Sequence, residues 1–185
     1  RQHFNRSLKT ELICDASKIC GFGWVLVQIC GVDSNGEKLY NVIACGSKSL
    51  TNGQKNWSMV ELESQALKIG CDGAAYWLKG AHFDVLTDHK PLVGLFNDQR
   101  LDLIKNVRIR NARLSLVDYS FTVKYLPGKY NVVRDCFSRK PLWDPDYNGE
   151  EEPAILANVC LENFPNARYD PLLKPMFQEA RVCRL

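Results

Sequence analysis

Residues 11–46 read ELICDASKICGFGWVLVQICGVDSNGEKLYNVIACG, and this stretch decides the fold. Residues 11–15 (ELICD) form a short apolar run closed by an acid, and residues 23–30 (GWVLVQIC) form a second, rich in β-branched and aromatic side chains. Residues 39–46 (LYNVIACG) form a third. Asp33-Ser34-Asn35-Gly36 joins the last two runs, and Asn-Gly is the strongest short-range hairpin signal because both positions accept positive φ. Three strands joined this closely predict an antiparallel meander.

Downstream the period changes. Ser58 with Glu61 three residues on makes a capping box, so a helix is predicted from there to about Lys79, with Gly80 as its C-cap. Gly70 and Gly73 inside it each cost about 1 kcal/mol against alanine, and they are read as permitting close approach to the sheet. Residues 83–87 (FDVLT) are a fourth strand, stopped by Asp88-His89-Lys90-Pro91, and residues 92–97 a short helix. Residues 101–116 carry Leu103, Ile104, Val107, Ala112, Leu114 and Leu116 with Arg108, Arg110 and Arg113 between them, predicting a helix with a basic side. Residues 120–125 (SFTVKY) are a fifth strand, ended by Pro127-Gly128, and Asn131 caps a last helix through Arg139. The expected fold is therefore α/β (α+β): a five-stranded mixed sheet, three antiparallel strands and then two more, flanked by helices.

That body occupies residues 1–140. Residues 141–185 contain Pro141, Pro145, Pro153, Pro165, Pro171 and Pro175 and the run Glu150-Glu151-Glu152, a linker composition expected to be extended or disordered in isolation. Charge divides the same way: residues 1–140 hold 20 Lys and Arg against 13 Asp and Glu, a net of +7, and the tail holds 4 against 8, a net of −4. A basic body with an acidic tail is a footprint of polyanion binding. No stretch of 18 apolar residues exists, which excludes a membrane-spanning helix, and no 20–50-residue period repeats. The start (Arg1 to Lys9) has no apolar signal segment. Eight cysteines stand without a C-x-x-C pair, and with three histidines they make a structural zinc site a poor reading. Cys14, Cys20, Cys30, Cys45 and Cys71 lie in or beside apolar runs, as reduced core thiols do, so a reducing, intracellular compartment is expected.

Four acids occupy positions where a purely structural carboxylate is awkward. Asp15 closes the first strand on the face of Ile13. Glu63 lies on the helical stripe of Met59, Val60, Ala66, Leu67 and Gly70, whereas Glu61 already has a task in the capping box. Asp88 ends the fourth strand, and Asp135 falls in the first turn of the last helix. A buried carboxylate without a partner costs several kcal/mol, and no Lys or Arg occupies a matching inward position. A hard divalent cation with oxygen ligands, Mg²⁺ or Mn²⁺, is the natural counter-charge. Two such ions about 4 Å apart stabilise both oxygens of a phosphodiester displacement. Taken singly, each acid also has a plain structural role: a turn for Asp15, an N-cap for Asp88, a dipole partner for Asp135.

In order, these segments resemble the ribonuclease H domain of gypsy-type LTR retrotransposon reverse transcriptases. The resemblance is carried by LICDAS (12–17) with GFGWVLVQ (21–28), SKSLT (47–51), QKNWSMVELE (54–63) and YWLKG (76–80). It is densest in FDVLTDHKPL (83–92) and in DYSFTVKYLPGKYNVVRDCFSR (118–139), so it spans residues 8–140. It implies a ribonuclease H-like fold and metal-dependent endonucleolytic cleavage of the RNA strand of an RNA–DNA hybrid during reverse transcription, with two Mg²⁺ or Mn²⁺ ions. The family's metal-binding acids fall on Asp15, Glu63, Asp88 and Asp135. Backbone contacts to the hybrid would come from Ser17, Lys90, Lys129, Asn131 and Arg134, with the Arg108/Arg110/Arg113 side a further candidate. Lys129 stands where cellular relatives carry a loop histidine, and RDCFSR replaces the usual ADALSR, which changes the packing around Asp135.

The expected partners are the hybrid and the polymerase and integrase portions of a longer Pol polyprotein, the tail either linking to an integrase or docking on a protein through Trp143, Phe164, Tyr169 and Phe177. The alternative is a domesticated, non-catalytic module of the same fold, suggested by the lack of a Y-x-D-D polymerase motif in this chain. An integrase or transposase core is disfavoured: its glutamate, about 35 residues after the second aspartate, would fall on Val123.

Overall fold

The computed structural model describes residues 4–127 apart from residues 20, 33, 35 and 37. The expected helix at 131–139, the site candidates Lys129, Asn131, Arg134 and Asp135, and the 141–185 tail lie outside the described residues. Three strands come first: β1 (Thr10–Ser17), β2 (Gly21–Val32) and β3 (Lys38–Lys48). Each is longer than its apolar run, because backbone pairing continues past the side chains that reach the core. β1–β2 and β2–β3 pair antiparallel, and the β2–β3 register shifts at Leu26/Val27 and Ile29/Gly31. β4 (His82–Thr87) pairs parallel to β1, and β5 (Ser120–Tyr125) parallel to β4, giving the order β3-β2-β1-β4-β5. The mixed five-stranded sheet read from the sequence is the observed one.

The helices follow the sequence less closely. The expected helix to Lys79 is two: α1 (Met59–Gly73) and α2 (Ala75–Leu78), broken at Ala74, before Gly80 turns the chain with φ +76°. Gly70 and Gly73 do allow close approach. A Cβ on Gly70 would sit 2.7 Å from Cys14 Sγ and 3.1 Å from Trp24 Cβ, and one on Gly73 2.5 Å from the Trp24 ring. α3 (Pro91–Asn97) starts one residue before the expected helix and ends with it, with Pro91 in its first turn. The single helix expected over 101–116 is instead a 3-10 turn (Leu101–Leu103) and α4 (Val107–Leu114). Asn106 separates them, because its side chain accepts the Arg108 and Ile109 N–H groups as an N-cap.

These helices line one face of the sheet. Leu62, Ala66, Leu67 and Cys71 of α1, Leu92 and Phe96 of α3, and Ile109 of α4 join Leu12, Leu26, Phe83 and Val85 in one core. Each large side chain buried there contributes roughly 1.5–3 kcal/mol. Odd-numbered β1 residues face the other way, where Ile13, Val25, Val27 and Leu86 form a smaller cluster. Two buried acids that the sequence reading passed over, Glu11 and Asp84, lie level on β1 and β4 and are paired with lysines.

Candidate metal centre

Parallel pairing decides where the acids meet. Ile13 is level with Leu86, so Asp15, two residues on in β1, and Asp88, two residues on from Leu86 and just past the end of β4, emerge at the same end of the sheet. Glu63 arrives from α1, two turns before Gly70, the residue that lets the helix lie on Cys14 and Trp24. One carboxylate oxygen from each of Asp15, Glu63 and Asp88 lies within 4.8 Å of the others. Asp15 and Glu63 are buried, and Asp88 is half-buried.

Three carboxylates this close repel strongly, all the more where water is thin. Their donors are all hard oxygens. Opposite ligands on one Mg²⁺ stand about 4.2 Å apart, so a cluster of this width fits divalent cations that keep some of their water. Beneath it, burial pushes the Cys14 thiol well above its ordinary value, with Cys71, Glu63 and Asp15 adding in the same direction. That thiol, adjacent to Asp15 in sequence, is one of the reduced core thiols expected from its apolar run, and its place between Leu12 and Ala16 puts it on the α1-facing side. Burial also lowers the pKa of His89, whose backbone N–H donates to Thr87 Oγ1 at 3.1 Å.

Glu61 is engaged elsewhere. It accepts from Ser58 N at 2.7 Å, Asn106 Nδ2 at 2.9 Å and Arg108 Nη1 at 2.8 Å. The bonds from Asn106 and then Arg108 hold its pKa at about 2. Ser17 ends β1 and accepts from Ile19 N at 3.3 Å, while Lys90 sits exposed at the N-cap of α3. The basic side of α4 is partly taken up inside the fold. Arg108 pairs with Glu61 and lies 4.9 Å over the Trp57 ring, and Arg113 Nη1 donates to the Leu95 carbonyl at 2.6 Å and to that of Gln99. These bonds engage Nη1 of Arg108 and of Arg113, and the Arg108 side chain stays 55% exposed.

Residues 5–119 match the model of the RNase H-like domain found in reverse transcriptase. The chain belongs to that family. This RNase H-like domain is 38% identical over 126 residues to the retrovirus-related Pol polyprotein from transposon 412 of Drosophila melanogaster, covering 68% of the chain and 9% of the polyprotein. It is 29% identical over 168 residues to the Pol polyprotein from transposon opus of the same species, covering 87% of the chain and 16% of the polyprotein. The chain thus spans a small part of the curated relatives it matches. In fold it is similar to the crystal structure of RNase H1 from the archaeon Halobacterium salinarum NRC-1, with TM-score 0.50 and 15% identity over 72% of this chain and 97% of that one.

Proposed function

We propose that this RNase H-like domain is the ribonuclease H of a retroelement reverse transcriptase, a metal-dependent endonuclease that cleaves the RNA strand of an RNA–DNA hybrid. The observation that carries the reading is the convergence of Asp15, Glu63 and Asp88 within 4.8 Å at one end of the sheet. The family membership adds the substrate class, and Asp135, outside the described residues, is the proposed fourth acid.

Each residue has a separate task. Asp15 and Asp88 are fixed by adjacent parallel strands, and Glu63 by a helix packed on β1, so their relative positions are set before any ligand binds. Together with Asp135 they would hold two Mg²⁺ or Mn²⁺ ions. When bound, such a pair supplies charge stabilisation for the attacking and leaving oxygens of the phosphodiester. Burial of Asp15 and Glu63 keeps bulk water from screening that charge. Ser17 and Lys90 flank the cluster in sequence on β1 and after β4, and with Lys129, Asn131 and Arg134 they are proposed to hold the hybrid by its backbone, which suits cleavage without base readout. We place this activity within a longer Pol polyprotein, beside polymerase and integrase portions, in a cytoplasmic particle or the nucleus.

The test is a labelled RNA–DNA hybrid with Mg²⁺. The chain is expected to shorten only the RNA strand, and Asp88→Asn to lose that cleavage. Equal cleavage by parent and Asp88→Asn would refute the assignment, and no cleavage by either would favour the domesticated, non-catalytic module.

A further inference from the structure

Lysines stand at both ends of the sheet, and they differ in what holds them. At the end away from the acid cluster, Lys9, Lys38 and Lys124 are each ion-paired with Glu11 or Asp84, at 2.7 to 3.8 Å. At the acid end, Lys18, Lys48 and Lys90 are exposed and take part in none of the ion pairs among the described residues. Their ammonium donors therefore point to something outside the described fold. Two of the three are joined through the backbone. Ser17 and Gly21 close the β1–β2 hairpin, and Phe22 is level with Lys48 at the end of β3. Gly21 has φ +121°, and a Cβ there would collide with the Lys48 carbonyl, so only glycine lets the hairpin return against β3. Ser17 Oγ accepts the Ile19 N–H at 3.3 Å and shapes the turn. The hairpin tip is thus braced beside Lys48, and it carries Lys18 and Ile19 away from the sheet. Ile19 is 92% exposed, the most exposed large apolar side chain among the described residues. A lone surface aliphatic is ordinary, but this one sits on a braced turn four residues past Asp15, beside two cations that no acid holds.

We propose that Lys18, Ile19 and Lys48 form a grip on the cut strand of the hybrid, with the lysines on phosphates next to the one at the acids and Ile19 against the sugars between them. The grip rests on the proposed function for the polymer it holds, while its residues come from the pairing and exposure above. Asp15 is level with Gly23, and Gly23 with Ser47, so the end of β3 stands two strand spacings, about 10 Å, from β1. Successive phosphates of one strand advance about 3.4 Å along the duplex axis, so about three of them fall within that span. Cations at this distance from the acids therefore meet the strand whose phosphate sits at the acids. Lys90 lies on the other side, past the end of β4, so the strand has a cation on each side of the cluster. Contacts of cation to phosphate and of aliphatic side chain to sugar carry no base information, which suits cleavage without sequence preference.

Fluorescence anisotropy of a labelled RNA–DNA hybrid with the full chain, followed in EDTA from about 50 to 200 mM salt, tests it. Lys18→Ala and Lys48→Ala should each lower the slope of log affinity against log salt by about one, because each leaves one phosphate with its counterions. Ile19→Ala should weaken binding roughly 3- to 10-fold with the slope unchanged, as loss of an apolar contact does. Melting temperatures equal to the parent's are expected for all three, since the side chains are exposed. Lys124→Gln removes an ammonium already paired with Asp84 and should leave the slope as it is. A slope loss there equal to that of Lys18→Ala would mean that net charge acts at a distance, and would overturn the grip. So would a parent-like slope in the Lys18→Ala, Lys48→Ala double variant. Neutral methylphosphonate linkages identify the strand: the two-lysine effect should persist when the DNA strand is neutral and vanish when the cut strand, made as 2′-O-methyl RNA, is neutral. The reverse pattern would also overturn it. If Asp88→Asn cleaves as fast as the parent while the lysine effects hold, the nuclease site is misassigned and the grip stands. If cleavage needs Asp88 and the slopes do not respond, the grip alone is wrong.

Discussion

Glu61 and Glu63 stand two residues apart on one helix and do opposite things. Glu61 ties Ser58, Asn106 and Arg108 together, and its pKa is held at about 2 against an ordinary value of 4.5. A carboxylate with a depressed pKa stabilises the fold fully above its unfolded value and loses that contribution as pH falls through the folded one. The melting temperature of the parent should therefore drop between about pH 4.5 and 2, and Glu61→Gln should flatten that drop; identical acid limbs would contradict the pairing. Glu61→Ala should cost about 1–3 kcal/mol in denaturant unfolding, because Asn106 and Arg108 lose their acceptor. Its folded fraction should cleave hybrid normally. Glu63→Gln should behave the other way, cutting cleavage roughly 10²-fold or more while leaving the metal-free fold as stable or slightly more so, since one of three repelling charges is gone. Interchanged phenotypes would reverse the two assignments. The sequence separates these glutamates because Ser58-x-x-Glu61 is a local motif. It does not reveal Asn106 and Arg108 as partners, since they lie 45 and 47 residues away and meet Glu61 only when α4 packs on α1.

Element by element, the strands were legible because each carries a short apolar run bounded by turn residues, and the sheet fixes little else. Helices were less so. Apolar spacing over 101–116 is continuous through Ile104 and Val107, yet Asn106 bonds to N–H groups ahead of it and starts a new helix, a choice between cap and interior that periodicity does not register. Glu11 and Asp84 are not legible as buried acids for a related reason: Lys38 and Lys124 come to them from strands 27 and 40 residues away. The glycines of α1 were legible as a cost that needed a reason. Their reason gives a prediction against propensity. Gly70→Ala should gain about 1 kcal/mol as a helix residue but force its Cβ to 2.7 Å from Cys14 Sγ, an overpacking penalty of about 1–3 kcal/mol. Chemical denaturation should show a net loss. The Cys14→Ala, Gly70→Ala double variant should recover part of it, because the pair shares one contact and is not additive. A stabilised Gly70→Ala single variant would show that α1 does not lie this close to the sheet.

At the scale of the whole molecule, the acid cluster is a consequence of topology. The antiparallel meander alone sets Asp15 near the end of β1, level with Gly23 of β2. Only the return of β4 parallel to β1 brings Asp88 to the same end, and only α1, seated across β1 and β2, adds Glu63. A cluster assembled from three distant segments exists in the folded chain and is lost on unfolding, so a cation that binds it must stabilise the fold by mass action. At a free Mn²⁺ concentration about 100 times its dissociation constant, that stabilisation is about 2.7 kcal/mol. For a chain of 150–250 residues, each kcal/mol raises the melting temperature by about 2–4 °C, so a rise of roughly 5–10 °C is expected in differential scanning calorimetry. Asp15→Asn should keep the parent's melting temperature in EDTA or exceed it, because the unliganded cluster is a knot of like charges, and should lose most of the Mn²⁺ response. A melting temperature indifferent to millimolar Mn²⁺ in the parent would mean that the three carboxylates meet without forming a metal centre. An equal rise in Asp15→Asn would place the responsible ion elsewhere on the molecule.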